Sequence, residues 1–228
     1  MSTAARSWAA RQVAELVTGA VSDSAKVTAI HSYVQQIPFG WTTKFDAATP
    51  EETIALNRGH CNPKTRLFVE LCREAGLKAH QHWVNIDNQV LGGLGDMFPP
   101  RVTHSFADVQ VDGVWRRVDS YIVDPKLAGP ARKRLTEEGR ELGYGLHSKG
   151  VTTFDGSSDA FSQMACDSMI LEDLGQLDWE EVAQHPSYLN RIGPFNVSTV
   201  LRWLPGVNTF FSTAWNKEVI KLQAEASG

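Results

Sequence analysis

The dipeptide Asp112-Gly113 separates two strand-like runs, residues 103–111 and 114–122. Both residue types tolerate the positive φ that a two-residue hairpin loop needs, so the runs pair antiparallel with a set register. Paired residue numbers then add to 225, as 112 and 113 do, which puts His104 opposite Tyr121 and Phe106 opposite Asp119. Side chains alternate faces with period two, so His104 and Asp119 share one face as diagonal neighbours within reach. Asp108 is on the same face but roughly 13 Å along the strand from His104, which makes Asp119 the better partner.

The segments before the hairpin read as helices with clear boundaries. Residues 4–18 are helix-like, and a second helix after Ser24 carries Val27, Ile30, Val34 and Ile37 at steps of three and four before Pro38 stops it. An aromatic turn, Phe39-Gly40-Trp41, follows. Thr49-Pro50-Glu51-Glu52 has the form of a capping box and starts a short helix. Asn62 as N-cap and Pro63 in the first turn start another, with Leu67, Leu71 and Ala75 in register and Gly76 at its end. Cys61 therefore stands at a helix N-terminus. Residues 78–86 read as a strand with His80, His82 and Val84 on one face, and the glycine- and proline-rich residues 87–102 as a long mobile loop.

After Asp124-Pro125 the pattern is mainly helical: residues 127–142, a Gly143-Tyr144-Gly145 turn, residues 161–174, and a start at Asp178 with Glu181 three residues on. The last stretch carries Trp203, Phe210, Phe211 and Trp215 around Pro205-Gly206. These elements predict an α+β protein in which the Cys61 helix packs on an antiparallel sheet. Residues 1–125 form the core with its N-terminal helices, and residues 126–228 a helical extension packed on it.

Composition narrows the partners. With 42% hydrophobic and 21% charged residues the chain is an ordinary globular one, and a net charge of -4 without a basic block argues against nucleic acid. No window approaches the 18 apolar residues of a membrane span, and Arg6, Arg11 and Glu15 interrupt the N-terminus where a signal peptide would be apolar. The expectation is a cytoplasmic protein without a membrane partner; its oligomeric state cannot be read from the sequence. Three cysteines form an odd set, so each is packing, metal ligand or nucleophile. Cys72 and Cys166 are assigned to packing.

Cys61 is offered a different role. A helix N-terminus favours a thiolate through unpaired N–H groups and the positive end of the dipole. His104 can take the thiol proton and return it to a leaving group, and Asp119 can hold the imidazole in the required tautomer. The Cys61 N–H is one oxyanion donor and the Trp41 indole N–H a candidate second. The rival arrangement is a metal site from His60, Cys61, His80, His82 and His104; its spacing matches no zinc pattern, and no metal or cofactor is expected.

The run Thr53-Ile54-Ala55-Leu56-Asn57-Arg58-Gly59-His60-Cys61 and the helix ending in Ala75-Gly76-Leu77-Lys78-Ala79 resemble the nucleophile segment of the transglutaminase-like cysteine enzymes. His104-Ser105-Phe106, Asp112-Gly113-Val114-Trp115 and Val118-Asp119 are similar to that family's histidine and aspartate strands, in the same order. The resemblance spans roughly residues 25–125. It implies a papain-like fold with Cys61 as nucleophile, His104 as general base and acid, and Asp119 as orienting carboxylate. It further implies a thioester acyl-enzyme formed from a peptide, amide or acyl-thioester substrate, as in cysteine proteases and other hydrolases or in acyltransferases. Arylamine N-acetyltransferases look similar in their Arg-Gly-x-Cys, and a catalytically inactive scaffold is the other alternative. Ser120-Tyr121 after Asp119, and His60 beside the cysteine, depart from the pattern.

Overall fold

A computed structural model describes residues 3–95, 98–164, 169–203 and 205–226. Helices α1 (Thr3–Leu16), α2 (Asp23–Gln36), α3 (Pro50–Ala55) and α4 (Cys61–Glu74) precede strands β1 (Ala79–Asp87), β2 (Arg101–Val111) and β3 (Val114–Val118). Beyond them come α5 (Pro125–Glu138), the short strands β4 (Leu142–Gly143) and β5 (Leu146–His147), and β6 (Ile170–Gln176). The chain continues through α6 (Trp179–Val182), β7 (Arg191–Ile192), β8 (Phe195–Asn196), α7 (Val197–Trp203) and α8 (Pro205–Glu225). The main sheet is antiparallel in the order β3-β2-β1-β6. This is the α+β arrangement the sequence predicts, with α4 packed on the sheet.

The hairpin register holds. Ala107 pairs with Val118, Gln110 with Trp115 and Val111 with Val114, and Asp112 and Gly113 both take positive φ, 49° and 84°. The second strand is shorter than expected, ending at Val118. Beyond it the N–H groups of Asp119 and Ser120 turn to the carbonyl of Ala160 instead of to β2. Asp119 therefore stands just past a strand end, where its carboxylate can be surrounded.

Three other boundaries move for physical reasons. Thr49 makes the expected capping box with Glu52, but Asn62 caps nothing: α4 starts at Cys61, and the Asn62 amide in its first turn bonds Asp46 and the carbonyl of Thr103. Helix α2 begins at Asp23, capped by Ser22, ahead of the start expected after Ser24. The helix expected over residues 161–174 is absent from its described part; residues 170–176 form strand β6 along the free edge of β1. Pairing an open edge outweighs local helical spacing. His82 pins that edge, with Nδ1 2.8 Å from Asp108 of β2 and Nε2 2.8 Å from Asp173 of β6. The expected loop after β1 begins as a turn of 3-10 helix over Asn88–Leu91, and Val90 and Leu94 are buried. Cys72 is a buried packing residue, as expected; Cys166 lies outside the described residues.

The core joins Val27, Ile30 and Val34 of α2 to Leu67, Phe68 and Leu71 of α4 and the inner face of the sheet, and Trp215, Val219 and Leu222 of α8 belong to the same cluster. Into this core the first turn of α4 inserts three polar side chains. Thr65 donates to the carbonyl of Ser105, and Asn62 bonds as above. Lys64 is fully buried, and its ammonium donates to the carbonyls of Ile37 and Ile122, both at 2.8 Å. Burial lowers the Lys64 pKa to about 7, against the opposing pull of Asp124.

Between pH 7 and the free-chain value near 10.5 the unfolded chain holds a proton on Lys64 that the native protein lacks. This linkage makes stability rise with pH across that window, and the gain is lost as pH falls back through 7. Urea denaturation of the wild type at pH 7, 8 and 9 should show increasing unfolding free energy. Lys64→Met should flatten that dependence; an unchanged slope in the variant would contradict the assignment.

Candidate active site

Cys61 is the first residue of α4, so its N–H has no helical acceptor one turn back. The backbone N–H groups of Asn62 and Ser105 favour the charged form of its sulfur. The residue is half-buried. Burial pushes the Cys61 thiol well above its ordinary range, the nearby Asp46 carboxylate adds to this, and the two N–H donors offset only part of it. These surroundings favour the thiol over the thiolate, and the helix terminus does not offset them.

His104 lies on β2 with 2% of its surface exposed, and Asp119 is completely buried. Nε2 of His104 is 3.8 Å from Oδ2 of Asp119 and makes no hydrogen bond. The hairpin thus brings the ring and carboxylate together, slightly beyond bonding distance. Asp119 is held independently of His104: it accepts from the backbone N–H groups of Ser162, Gln163 and Met164 and from the Ser162 hydroxyl. Three main-chain donors fix a buried carboxylate and keep its charge tolerable.

Trp41 sits on the turn after α2, and its main chain is clamped by one side chain from α8. The Trp41 N–H donates to Asn216 Oδ1 at 2.8 Å, and Asn216 Nδ2 donates to the Trp41 carbonyl at 2.7 Å. Gly40 permits this approach, since it has φ of 150° and any Cβ there would strike Asn216 Oδ1 and the Arg58 guanidinium. Asp124 anchors the same turn by accepting from the N–H of Phe39, while also capping α5 and bonding Gln223. The Trp41 ring packs between His60 and Phe98, and its indole N–H makes no hydrogen bond to the described residues.

Cys61, His104 and Trp41 line one cleft of about 390 Å³, walled mainly by Phe39, Phe45, Phe98 and Trp215. Asp119 stands behind His104. Beside the cleft is a feature no sequence pattern pointed to, a carboxylate network centred on fully buried Asp46. It accepts from His60 Nε2 at 2.6 Å, Asn62 Nδ2 at 2.9 Å, Asn190 Nδ2 at 2.7 Å and the Tyr188 hydroxyl. Burial alone would raise its pKa, but the donors outweigh this and hold it below the usual carboxylate range. The network ties the start of α4 to residues more than 120 positions away, a link that residue spacing cannot reveal. Lys64 did leave a trace in the sequence, as a charged residue three and seven positions before Leu67 and Leu71 on one helical face.

The histidines of the rival metal arrangement are dispersed. His60 is bound to Asp46, His82 bridges Asp108 and Asp173, and His80 packs 5.4 Å from the ring of Trp115. Among the described residues no three His, Cys, Asp or Glu side chains form a group that could hold a metal ion.

Residues 10–120 match the model of the transglutaminase-like superfamily. This span takes in Trp41, Cys61, His104 and Asp119. The chain carries a transglutaminase-like core. A solved structure of a candidate cysteine protease from Cytophaga hutchinsonii is similar at 17% identity and a TM-score of 0.41, over 53% of this chain and 39% of that one. The chain thus spans well under half the length of that relative. No curated protein matches. Among the described residues no helix is long and apolar enough to cross a membrane.

Removing the Asp46 carboxylate would leave four buried donors facing one another. Asp46→Ala should therefore lose about 3–5 kcal/mol of stability in urea unfolding. Tyr188→Phe, which removes one donor, should lose only about 1–2 kcal/mol. Equal, small effects of the two would mean that the network contributes little.

Proposed function

We propose that the protein is a cysteine-dependent acyl-transfer enzyme, a peptide or amide hydrolase or an acyltransferase, working through a thioester on Cys61. The observation that supports this best is that Cys61 and His104 line the same cleft while Asp119 lies 3.8 Å behind the imidazole. With Nε2 turned toward Asp119, Nδ1 of His104 is the nitrogen left to exchange a proton with the thiol. Because the resting sulfur is protonated, proton transfer accompanies attack: the S–H proton moves to His104 as sulfur bonds to the substrate carbonyl carbon.

The oxygen that becomes negative is met by the Cys61 N–H and, in this reading, the indole N–H of Trp41. Collapse breaks the bond to the leaving group, which departs with the proton from His104. Water or an amine then attacks the thioester, gives its proton to His104, and expels the sulfur, which recovers its proton. Asp119, fixed by main-chain N–H groups, stabilises the imidazolium present in both halves. Its distance closes by a small rotation of the ring as charge develops, since catalytic hydrogen bonds tighten in the reacting complex.

Intact-mass analysis after incubation with an activated acyl thioester should show one acyl group on Cys61 and none in Cys61→Ala. His104→Ala should lower kcat/KM by about 10²–10⁴. Trp41→Phe, which keeps the ring but not the donor, should lower kcat by about 10²–10³ with little change in KM. Absence of any Cys61 adduct in folded wild-type protein would identify the core as a catalytically silent scaffold.

A further inference from the structure

The cleft beside Cys61 offers a ligand little except carbon. Five aromatic rings form its walls, those of Phe39, Trp41, Phe45, Phe98 and Trp215, and they pack on one another, with centroids 4.8 Å apart for Trp41 and Phe98 and 5.3 Å for Phe45 and Trp215. Aliphatic side chains fill the spaces between, among them Val90, Val102 and Leu189.

The polar lining is partly engaged within the protein, with His60 Nδ1 and Arg191 Nε buried and without a partner among the described residues. Asn190 Nδ2 bonds Asp46 and the carbonyl of Thr103, and the Thr103 hydroxyl donates to Asn85. Gln163 Nε2 donates to the carbonyl of Gly145, and His60 Nε2 is bound to Asp46. Arg191, the one permanently charged residue of the lining among the described residues, has its Nη2 on the carbonyls of Ala183 and His185 and its guanidinium 5.8 Å from the centroid of Tyr188. A polar acyl group entering here would give up water for few new hydrogen bonds.

Which part of the substrate fills this space follows from the order of events. The leaving group must depart and the acceptor must enter from solvent, whereas the acyl group stays bonded to Cys61 through both halves. The cleft holds about 390 Å³. An acetyl group would leave most of it to water, each molecule taking roughly 30 Å³. A ring carried on a short chain would displace that water and meet the aromatic walls, where apolar burial and ring packing add to binding.

We infer that the acyl group transferred from Cys61 is bulky and apolar, of the arylalkanoyl kind, seated among Phe39, Phe45, Phe98 and Trp215. This rests on the acyl-transfer reading above and adds the substrate class to it.

The test is a set of thiophenyl esters that share one leaving group and differ only in the acyl part: acetyl, hexanoyl, 3-phenylpropanoyl and succinyl. Wild-type kcat/KM should climb by about 100-fold or more from acetyl to 3-phenylpropanoyl, with hexanoyl between and succinyl no better than acetyl. Phe98→Ser should reduce the preference for 3-phenylpropanoyl over acetyl by about tenfold, mainly by raising KM for the aromatic donor. Cys61 acylation with a flat series, or a preference for acetyl, would overturn the inference and leave acyl transfer standing. A preference for succinyl would also overturn it, making Arg191 the reader of a carboxylate. If none of the esters acylates Cys61, the acyl-transfer reading fails and the inference with it.

Discussion

The first turn of α4 is held in the protein by hydrogen bonds of buried polar side chains, and the candidate site depends on that attachment. Lys64 fastens the turn to the carbonyls of Ile37 and Ile122, Thr65 to Ser105, and Asn62 to Asp46 and Thr103. Apolar packing alone would let a helix slide or rotate by a fraction of a turn at modest cost, because the hydrophobic effect is not directional. Hydrogen bonds to four separate segments do not permit that. They set where the Cys61 sulfur stands relative to β2, and so relative to His104. The arrangement carries an opposing cost, since a buried ammonium is tolerated only with its donors engaged and its pKa pulled down to about 7.

The same burial that organises the site holds the proposed nucleophile in reserve. Crowding and the Asp46 carboxylate keep the Cys61 thiol protonated, so reactivity in the proposed mechanism comes from the arrival of a carbonyl and the transfer of a proton to His104, rather than from a standing thiolate. Asp119 follows a complementary logic. Main-chain N–H groups fix its charge before any imidazolium exists, which is electrostatic preorganisation in a literal sense. In the proposed mechanism nothing would have to reorganise around the carboxylate as His104 takes up a proton.

The region beyond residue 125 takes part in the site as well as in the core. Asn216 of α8 clamps the main chain of Trp41, Trp215 forms part of the cleft wall, and Tyr188 and Asn190 complete the shell of Asp46. Strand β6 covers the edge of β1 that would otherwise be open. Removing this region would therefore strip the candidate site of one wall and of the groups that hold Trp41 and Asp46 in place.

Local rules determined a good deal. Asp112-Gly113 dictated a hairpin whose register holds as far as Ala107 and Val118 and so delivers Asp119 to the neighbourhood of His104, because the turn geometry and the two-residue period fix the pairing once the loop is set. The contact with Ala160 then places the carboxylate. The Thr49 capping box follows from unpaired N–H groups at a helix start, which residues a few positions away satisfy, and the helix behind Cys61 follows the apolar spacing of Leu67 and Leu71. Tertiary structure alone decided what acts across distance. The strand at residues 170–176 forms because β1 has a free edge, Asn62 abandons its cap for Asp46, and the thiol stays protonated because of what surrounds it. Each of these turns on desolvation or on a partner far away in the chain. Those quantities exist only once the protein has folded, and no window of sequence contains them.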